Sequence, residues 1–333
     1  MAKAKLPKLS EESVKEIDHL RLITKIAVLY HQEHYSQPDI ANRLKISQAR
    51  VSRYLKEAQA EGIVQTTVVQ PYGIYVGLEK ALEEMYGLRE VIVVENIEGA
   101  SIITALGSAA ATYLETTLNP NDVLGVSSWS STLLSTVDAM RSRPRKNIKE
   151  VIQLIGGVGS PDAQLQASRL VSHLAKLTLA TPIYMPAPGV SSTTKIRDAF
   201  LSDPAVKQNI DSWQRINTLL VGIGTFPASP LLVASGNALS REDEMALSQT
   251  GAVGEICLRY FDQNGKPMKP DVEKRVISID FDSMMKIPNR IAVAGGTHKL
   301  NAIRAAIKGG WANVLITDSL VARNLLEPPR KKK

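Results

Sequence analysis

The chain has 333 residues, 44% of them apolar, enough for two domains or one large domain with a small appendage. Its single cysteine, Cys257, excludes an intramolecular disulfide and fits a reducing cytosol; no signal peptide or bilayer-length apolar run is visible, so a cytoplasmic protein with no membrane partner is expected. The net charge of +7 sits at the ends: residues 1–70 carry 11 Lys/Arg against 8 Asp/Glu, and Arg330–Lys333 adds four basic residues, so the long middle is balanced and a nucleic-acid partner at one end is compatible.

The first elements are helical. Leu20, Ile23, Ala27 and Tyr30 share one helical face. The stretch "YSQPDIANRLKISQARVSRYLKEAQAEGIV" (Tyr35–Val64) follows, with Ser36 as an N-cap and Pro38 in the tolerant first turn. Ile40, Ala41 and Leu44 form its apolar face. Ser47 is a second N-cap; Val51, Leu55 and Ala58 repeat at helical spacing, and Gly62 ends the segment. Ile63–Val69 reads as a strand or wing. Residues 1–70 thus predict a winged helix-turn-helix domain. The polar side of its second helix offers Ser47, Gln48, Arg50, Ser52, Arg53 and Lys56. Arg pairs with guanine and Gln with adenine in a major groove, whereas Lys56 and the serines suit phosphate. The competing reading is a plain helical hairpin with a solvated basic face.

A connector at 71–77 leads into alternating elements over 78–327, ahead of a basic tail at 328–333. Helices are predicted over Leu78–Tyr86, Ile102–Thr117, Ser131–Met140, Leu165–Leu179 and Lys299–Lys308. Strands are predicted over Glu90–Val94, Val123–Val126, Val151–Ile155, Ile183–Met185, Thr218–Ile223, Arg275–Ile279, Ile291–Ala294 and Val314–Thr317. Short apolar strands between helices predict an α/β fold with a mostly parallel sheet, covered on both faces, whose ligands bind beyond the strands' carboxyl ends.

Four strand ends carry fitting chemistry: "VLGVSSWSST" (Val123–Thr132), "LIGGVGS" (Leu154–Ser160), "VGIGT" (Val221–Thr225) and "AVAGGTHKL" (Ala292–Leu300). Open N–H groups at a helix start, with Ser/Thr hydroxyls, suit an anion. None matches a Walker A or dinucleotide fingerprint, and the glycines equally serve tight turns. Lys299 falls in the first turn of its helix, where the dipole disfavours a cation and a bound phosphate relieves the conflict. Asp262 precedes an Asn-Gly turn, either meeting sugar hydroxyls or capping that turn. Asp318 reads as an N-cap. The five histidines show no metal spacing and there is no nucleophile elbow, so neither an enzyme, a metal nor a cofactor is expected.

"GAVGEICLRYFDQNG", "RIAVAGGTHKLNAIRAAIKGGWANVLITD" and "MPAPGVSS" carry a family resemblance spanning about residues 15–327. The chain resembles the SorC/DeoR-type bacterial transcriptional regulators with a sugar-binding domain. The resemblance implies a winged helix-turn-helix joined to a Rossmann-like, sugar-phosphate-isomerase-like effector domain that senses a phosphosugar and has lost its relatives' enzymatic chemistry. The implied partners are double-stranded operator DNA and a small carbohydrate effector, and the implied assembly is a homodimer or homotetramer. The effector phosphate would meet Ser127, Ser128, Ser130 and Thr132, then Gly156, Gly157 and Gly159, then Gly295, Gly296 and Lys299. The sugar end would meet Gln153, the Pro186–Pro188 segment with Pro188, and Asp262. Relatives are often richer in glycine where this chain has serines and Trp129, which leaves a free polyol open as the alternative effector. A sugar-phosphate-processing enzyme with a helical appendage is the competing function.

Overall fold

The computed structural model describes residues 11–65, 71, 73–141, 148–226, 228, 230–237 and 239–328. The chain divides into two units, Met1–Val69 and Gln70–Lys333.

The first unit holds three helices: α1 (Glu11–His31), α2 (Gln37–Leu44) and α3 (Gln48–Ala60). Ile23, Ile26, Ala27 and Leu29 of α1 close over Ile40 and Ala41 of α2 and over Val51, Tyr54, Leu55 and Ala58 of α3. Leu20 and Tyr30, expected in this core, are 39% and 37% exposed; the buried face of α1 runs through Ile26 and Leu29 instead. Ser36 and Ser47 cap α2 and α3 through their side-chain oxygens. Lys45, at the end of α2, takes the left-handed conformation (φ 53°), which makes the sharp turn into Ser47. Ile46 packs against the core from that turn. Ile63 and Val64 also pack there without forming a strand, and residues 66–69 of the expected wing lie outside the described residues.

The second unit begins with α4 (Val76–Tyr86) and β1 (Glu90–Val94). Next come α5 (Ile102–Thr117), β2 (Val123–Val126), α6 (Ser131–Ala139), β3 (Glu150–Gln153), α7 (Pro161–Thr178) and β4 (Thr181–Ile183). Helices α8 (Thr194–Ser202) and α9 (Pro204–Ser212) precede β5 (Thr218–Val221), α10 (Pro230–Ala234) and α11 (Arg241–Gln249). The chain continues through β6 (Ala252–Ile256), β7 (Arg259–Asp262), α12 (Phe281–Met285), β8 (Asn289–Val293), α13 (Leu300–Lys308), β9 (Val314–Asp318) and α14 (Ser319–Leu326). Seven strands form one sheet in the order β1-β9-β8-β5-β2-β3-β4, and every pairing in it is parallel.

Alternate strand residues face opposite ways, and both faces are apolar. Val91, Val93, Leu219 and Val221 join the core cluster on one face; Ile92, Val94, Leu220 and Val151 join the other. This two-sided burial explains the continuous apolar runs read as strands. From β2 the chain steps outward through β3 and β4, then returns to place β5 on the other side of β2. The order reverses between β2 and β5, where a parallel sheet leaves a crevice at its carboxyl edge.

Two expected strands differ. β4 lies at Thr181–Ile183 rather than Ile183–Met185. Arg275–Ile279 is not a strand of the sheet: Asp271–Arg275 is a 3-10 turn, and the rest crosses the end of β3 in extended form. It makes isolated antiparallel bridges, Val190 to Val276 and Ile155 to Ser278. Alternating apolar residues there satisfy two flanking segments, which gives strand periodicity without a sheet. Helices α8 and α9, which lie outside the expected elements, bury Val206 and Ser212 fully and pack Phe200, Leu201 and Ile210 half-buried against the core.

Candidate functional site

A cavity of about 610 Å³ lies over the carboxyl ends of β2, β5 and β8. The loop after β2 supplies Ser127, Ser128, Trp129, Ser130 and, at the start of α6, Ser131 and Thr132. The segment after β5 supplies Gly222–Phe226, and the loop after β8 supplies Gly295, His298 and Lys299. Ile102, Ile103 and Leu106 of α5 form one apolar side. Leu232, Leu239, Phe226 and Tyr260 form another, in which the Phe226 and Tyr260 rings stack 6.0 Å apart.

The serine loop is held from behind. Ser127 N–H donates to the Leu220 carbonyl (3.1 Å), and Gly222 N–H donates to Ser127 Oγ (3.3 Å), tying β2 to β5 at the crevice. Gln153 Nε2 donates to Ser128 Oγ (3.0 Å) while Gln153 Oε1 accepts from Met185 N–H (3.2 Å). With its oxygen engaged as an acceptor, the Ser128 hydroxyl keeps its proton to donate elsewhere. Ser130 Oγ caps α6 by accepting from Leu133 N–H (3.3 Å). Trp129 stands between these serines in the left-handed region (φ 62°), an uncommon conformation for a bulky residue. The result is a run of backbone N–H groups, Ser128 to Thr132, for which no acceptor occurs among the described residues. Successive open N–H groups around a left-handed residue, leading into a nine-residue helix, form a backbone arrangement whose dipoles suit an anion.

Across the cavity, Lys299 Nζ donates to the Ile223 carbonyl (2.8 Å). Lys299 stands at the boundary between a 3-10 turn (Thr297–Lys299) and α13. Burial pulls its ammonium below the usual lysine range, and the Glu255 carboxylate partly offsets this. Glu255 itself is half-buried and lines the cavity. Burial raises its carboxyl, against the opposing pull of Leu258 N–H and Lys299. Leu258 N–H donates to Glu255 Oε2 at 2.7 Å. This contact holds the two-residue turn between β6 and β7, where both Cys257 (φ 54°) and Leu258 (φ 59°) are left-handed without being glycine. Two backbone bonds between Glu255 and Gly224 then fasten the hairpin to the end of β5.

The other sequence-selected residues lie elsewhere. Gln153 is buried behind Ser128. Gly156, Gly157 and Gly159 do not line the cavity; a Cβ on Gly156 would stand 2.2 Å from the Pro188 backbone, and one on Gly159 2.2 Å from the Ser235 carbonyl oxygen. Pro188 bridges to Gly157 and Val158 in that same packed layer. Asp262 faces its own turn, its Oδ1 accepting from Asn264 N–H (2.8 Å) and Lys266 N–H (2.9 Å). Gly296 lies beside the cavity with its N–H committed to Asp318 Oδ2 (2.6 Å), and Asp318 also caps α14. Sequence reasoning missed Glu255, Tyr260 and the Ile102–Leu106 face. An acid inside the apolar run "GAVGEICLRYF" was the available sign for Glu255.

On α3, Gln48, Arg50, Arg53 and Lys56 are exposed along one helix and Ser52 is half-buried. Ser47 spends its oxygen on the cap, accepting from Arg50 N–H (3.3 Å). Among the described residues no cluster of His, Cys, Asp or Glu could hold a metal, and no helix is long and apolar enough to cross a membrane.

Residues 71–327 match the family model described as "Putative sugar-binding domain", and residues 26–65 match a winged helix-turn-helix DNA-binding model. The chain is 33% identical over 308 residues to the deoxyribonucleoside regulator of Bacillus subtilis (strain 168), covering 92% of this chain and 97% of that one. The sorbitol operon regulator of Klebsiella pneumoniae is 27% identical over 316 residues, with 93% and 99% covered. The crystal structure of that full-length regulator, SorC, matches with a TM-score of 0.70 at 26% identity, over 92% of this chain and 99% of that one. A sugar-binding domain of a DeoR regulator from Pseudomonas syringae pv. tomato matches at 36% identity and a TM-score of 0.60, over 76% and 99%. These relatives are named as regulators, and the chain belongs to the SorC/DeoR family of bacterial transcriptional regulators, with an N-terminal helix-turn-helix and a sugar-binding effector domain.

Proposed function

We propose that this regulator binds operator DNA through α3 and that a phosphorylated sugar or polyol in the cavity changes its DNA affinity. The observation that carries the effector reading is the run of open N–H groups from Ser128 to Thr132, set among serine hydroxyls and opposite Lys299. Phosphate oxygens accept such bonds and gain from the α6 dipole. Glu255, Lys299 and the remaining serines then face the hydroxyls. Relatives named for a sorbitol operon and for deoxyribonucleosides support regulation of sugar or polyol genes. A two-fold operator requires at least a homodimer. An unphosphorylated polyol is the second reading. Lys299 already donates to Ile223, and among the described residues Glu244 and Glu255 line the cavity while no arginine does, a balance that suits a neutral ligand.

Calorimetry separates the two. Lys299→Ala is expected to weaken a sugar phosphate by about 1.5–3 kcal/mol, as for hydrogen bonds to charged groups, and to leave the matching free sugar unchanged. A tightest ligand without phosphate overturns the first reading in favour of the second. For DNA, Arg50→Ala or Arg53→Ala is expected to cost roughly 1–3 kcal/mol on the operator and to relax preference at one base pair. Lys56→Ala should weaken operator and random duplex alike and flatten the salt dependence. The effector acts only through unequal affinity for the free and DNA-bound states. Titrating it into the preformed complex and finding unchanged anisotropy would remove the coupling.

A further inference from the structure

The α3 helix holds one of its arginines in place. Arg50 Nε donates to the Tyr54 hydroxyl at 2.7 Å, one helical turn along. The guanidinium also lies 5.3 Å from the centroid of the Tyr54 ring, and that of Arg53 lies 5.8 Å from it on the same helix. Tyr54 is in turn buried and packed. It is 4% exposed and belongs to the core of the unit, and the His19 ring of α1 meets it edge-on at 5.5 Å. His19 Nε2 is itself 2.7 Å from Glu57 Oε1, so one residue of α1 meets α3 at both Tyr54 and Glu57. Arg50 is thus an exposed cation on a flexible stem whose Nε is anchored to a rigid, buried phenol.

Anchoring through Nε has a specific chemical consequence. The guanidinium presents two edges, and the hydroxyl occupies the Nε side. The terminal Nη1 and Nη2 groups have no partner among the described residues and form a parallel pair of donors, and this fork matches the O6 and N7 acceptors of guanine in a major groove. A side chain already fixed in its contact geometry loses less rotamer freedom on binding. Arg53 lies over the same ring but makes no bond to the hydroxyl, so the two arginines are unequal in restraint.

We infer that Tyr54 is a positioning residue for sequence readout: its hydroxyl pre-sets Arg50 to read one base pair, a guanine, without touching DNA itself. This rests on the proposal that α3 enters operator DNA. The test uses the full-length chain and a duplex selected by the wild-type protein from a randomised pool. Anisotropy is then measured against that duplex, against every single-base change in it, and against scrambled DNA at two salt concentrations. Tyr54→Phe removes the hydroxyl and keeps the buried ring. It is expected to weaken binding to the selected duplex by about 2- to 10-fold, the scale of freeing one immobilised side chain. The loss should fall at the same base pair that Arg50→Ala affects, with scrambled-DNA affinity, salt slope and melting temperature unchanged. Arg50→Ala combined with Tyr54→Phe should lose no more than Arg50→Ala alone. Tyr54→Phe with a wild-type base profile, while Arg50→Ala loses its base preference, overturns the positioning role alone. A uniform loss on all duplexes together with a lowered melting temperature makes Tyr54 structural and overturns it as well. An Arg50→Ala variant that keeps the full base profile refutes base reading by Arg50, and the positioning role falls with it.

Discussion

The loops "SSWSST" after β2 and "GGVGS" after β3 leave adjacent parallel strands at the same end of the sheet, yet only the first opens onto the cavity. By composition the second is the better phosphate loop, with three glycines in five residues. The folded chain uses those glycines for contact: Pro188, Gln153 and Ser235 come so close that no Cβ fits. The serine loop does the opposite. Its side chains are bonded from behind, by Gln153 to Ser128 and by Gly222 to Ser127, and its backbone N–H groups are left without acceptors among the described residues. Glycine in a strand-end loop therefore reports close approach of any kind, by protein or ligand, and open N–H groups tell the two apart.

The largest effect that sharpens this contrast is on stability. In Gly156→Ala the new methyl meets Pro188 backbone atoms, which cannot swing aside as a side chain can. A loss near the top of the ~1–3 kcal/mol range for overpacking is expected, read by urea denaturation. Unchanged unfolding would mean the loop has slack and is not a packing device. The next effect is on binding. Ser131 occupies the first position of α6, where proline costs no helical bond and Ser130 before it is already extended (φ −112°, ψ 115°). Ser131→Pro deletes one N–H from the run. Calorimetry should show a loss of about 1.5 kcal/mol for a sugar phosphate and none for Ser131→Ala. Equal affinity in the proline variant would show that this N–H donates to no ligand.

The pH dependence of the opposite wall follows from Glu255. Its folded pKa is raised, so over the window above the ordinary carboxylate value, about 4.3, the folded state binds more protons than the unfolded state. Stability contributed by the protonated acid is full below that value and is lost as pH rises through the raised one. Glu255→Gln keeps an acceptor for Leu258 N–H and cannot ionise. Relative to the wild type its stability should improve steadily with rising pH across that window. Parallel pH–stability curves would indicate that the carboxyl titrates normally.

The same contrast explains what could be read in advance. Most strands of the sheet were legible because burial on both faces makes strands such as Val123–Val126 apolar throughout. The helix-turn-helix was legible because Ser36, Ser47 and Gly62 mark ends that the chain uses. Arg275–Ile279 misled because an extended crossing segment has strand periodicity without strand pairing. In the site, Ser127–Thr132 and Lys299 were legible as strand-end chemistry and do line the cavity. Glu255 and Tyr260 were not, because they arrive on a hairpin outside the main sheet, held there by contacts with Gly224 that no local pattern encodes.

Asp262 gives the smallest effect and the finest test, because family resemblance and local geometry assign it different tasks. Its Oδ1 accepts two backbone N–H groups inside the turn that carries Gly265, and Gly265 is itself pinned by Trp311, whose Nε1 donates to its carbonyl at 2.7 Å. A capping carboxylate at a half-buried turn is worth about 1 kcal/mol, since water replaces part of what is lost. Asp262→Ala should therefore lower stability by about that amount and leave effector affinity at the wild-type value. Asp262→Asn should recover most of the stability, because an amide oxygen accepts the same bonds. The reverse pattern, full stability with effector affinity reduced tenfold, would place the carboxylate against ligand hydroxyls and require the turn to open toward the cavity. Measured side by side on the three proteins, thermal denaturation and calorimetry decide whether this aspartate serves its own loop or the ligand.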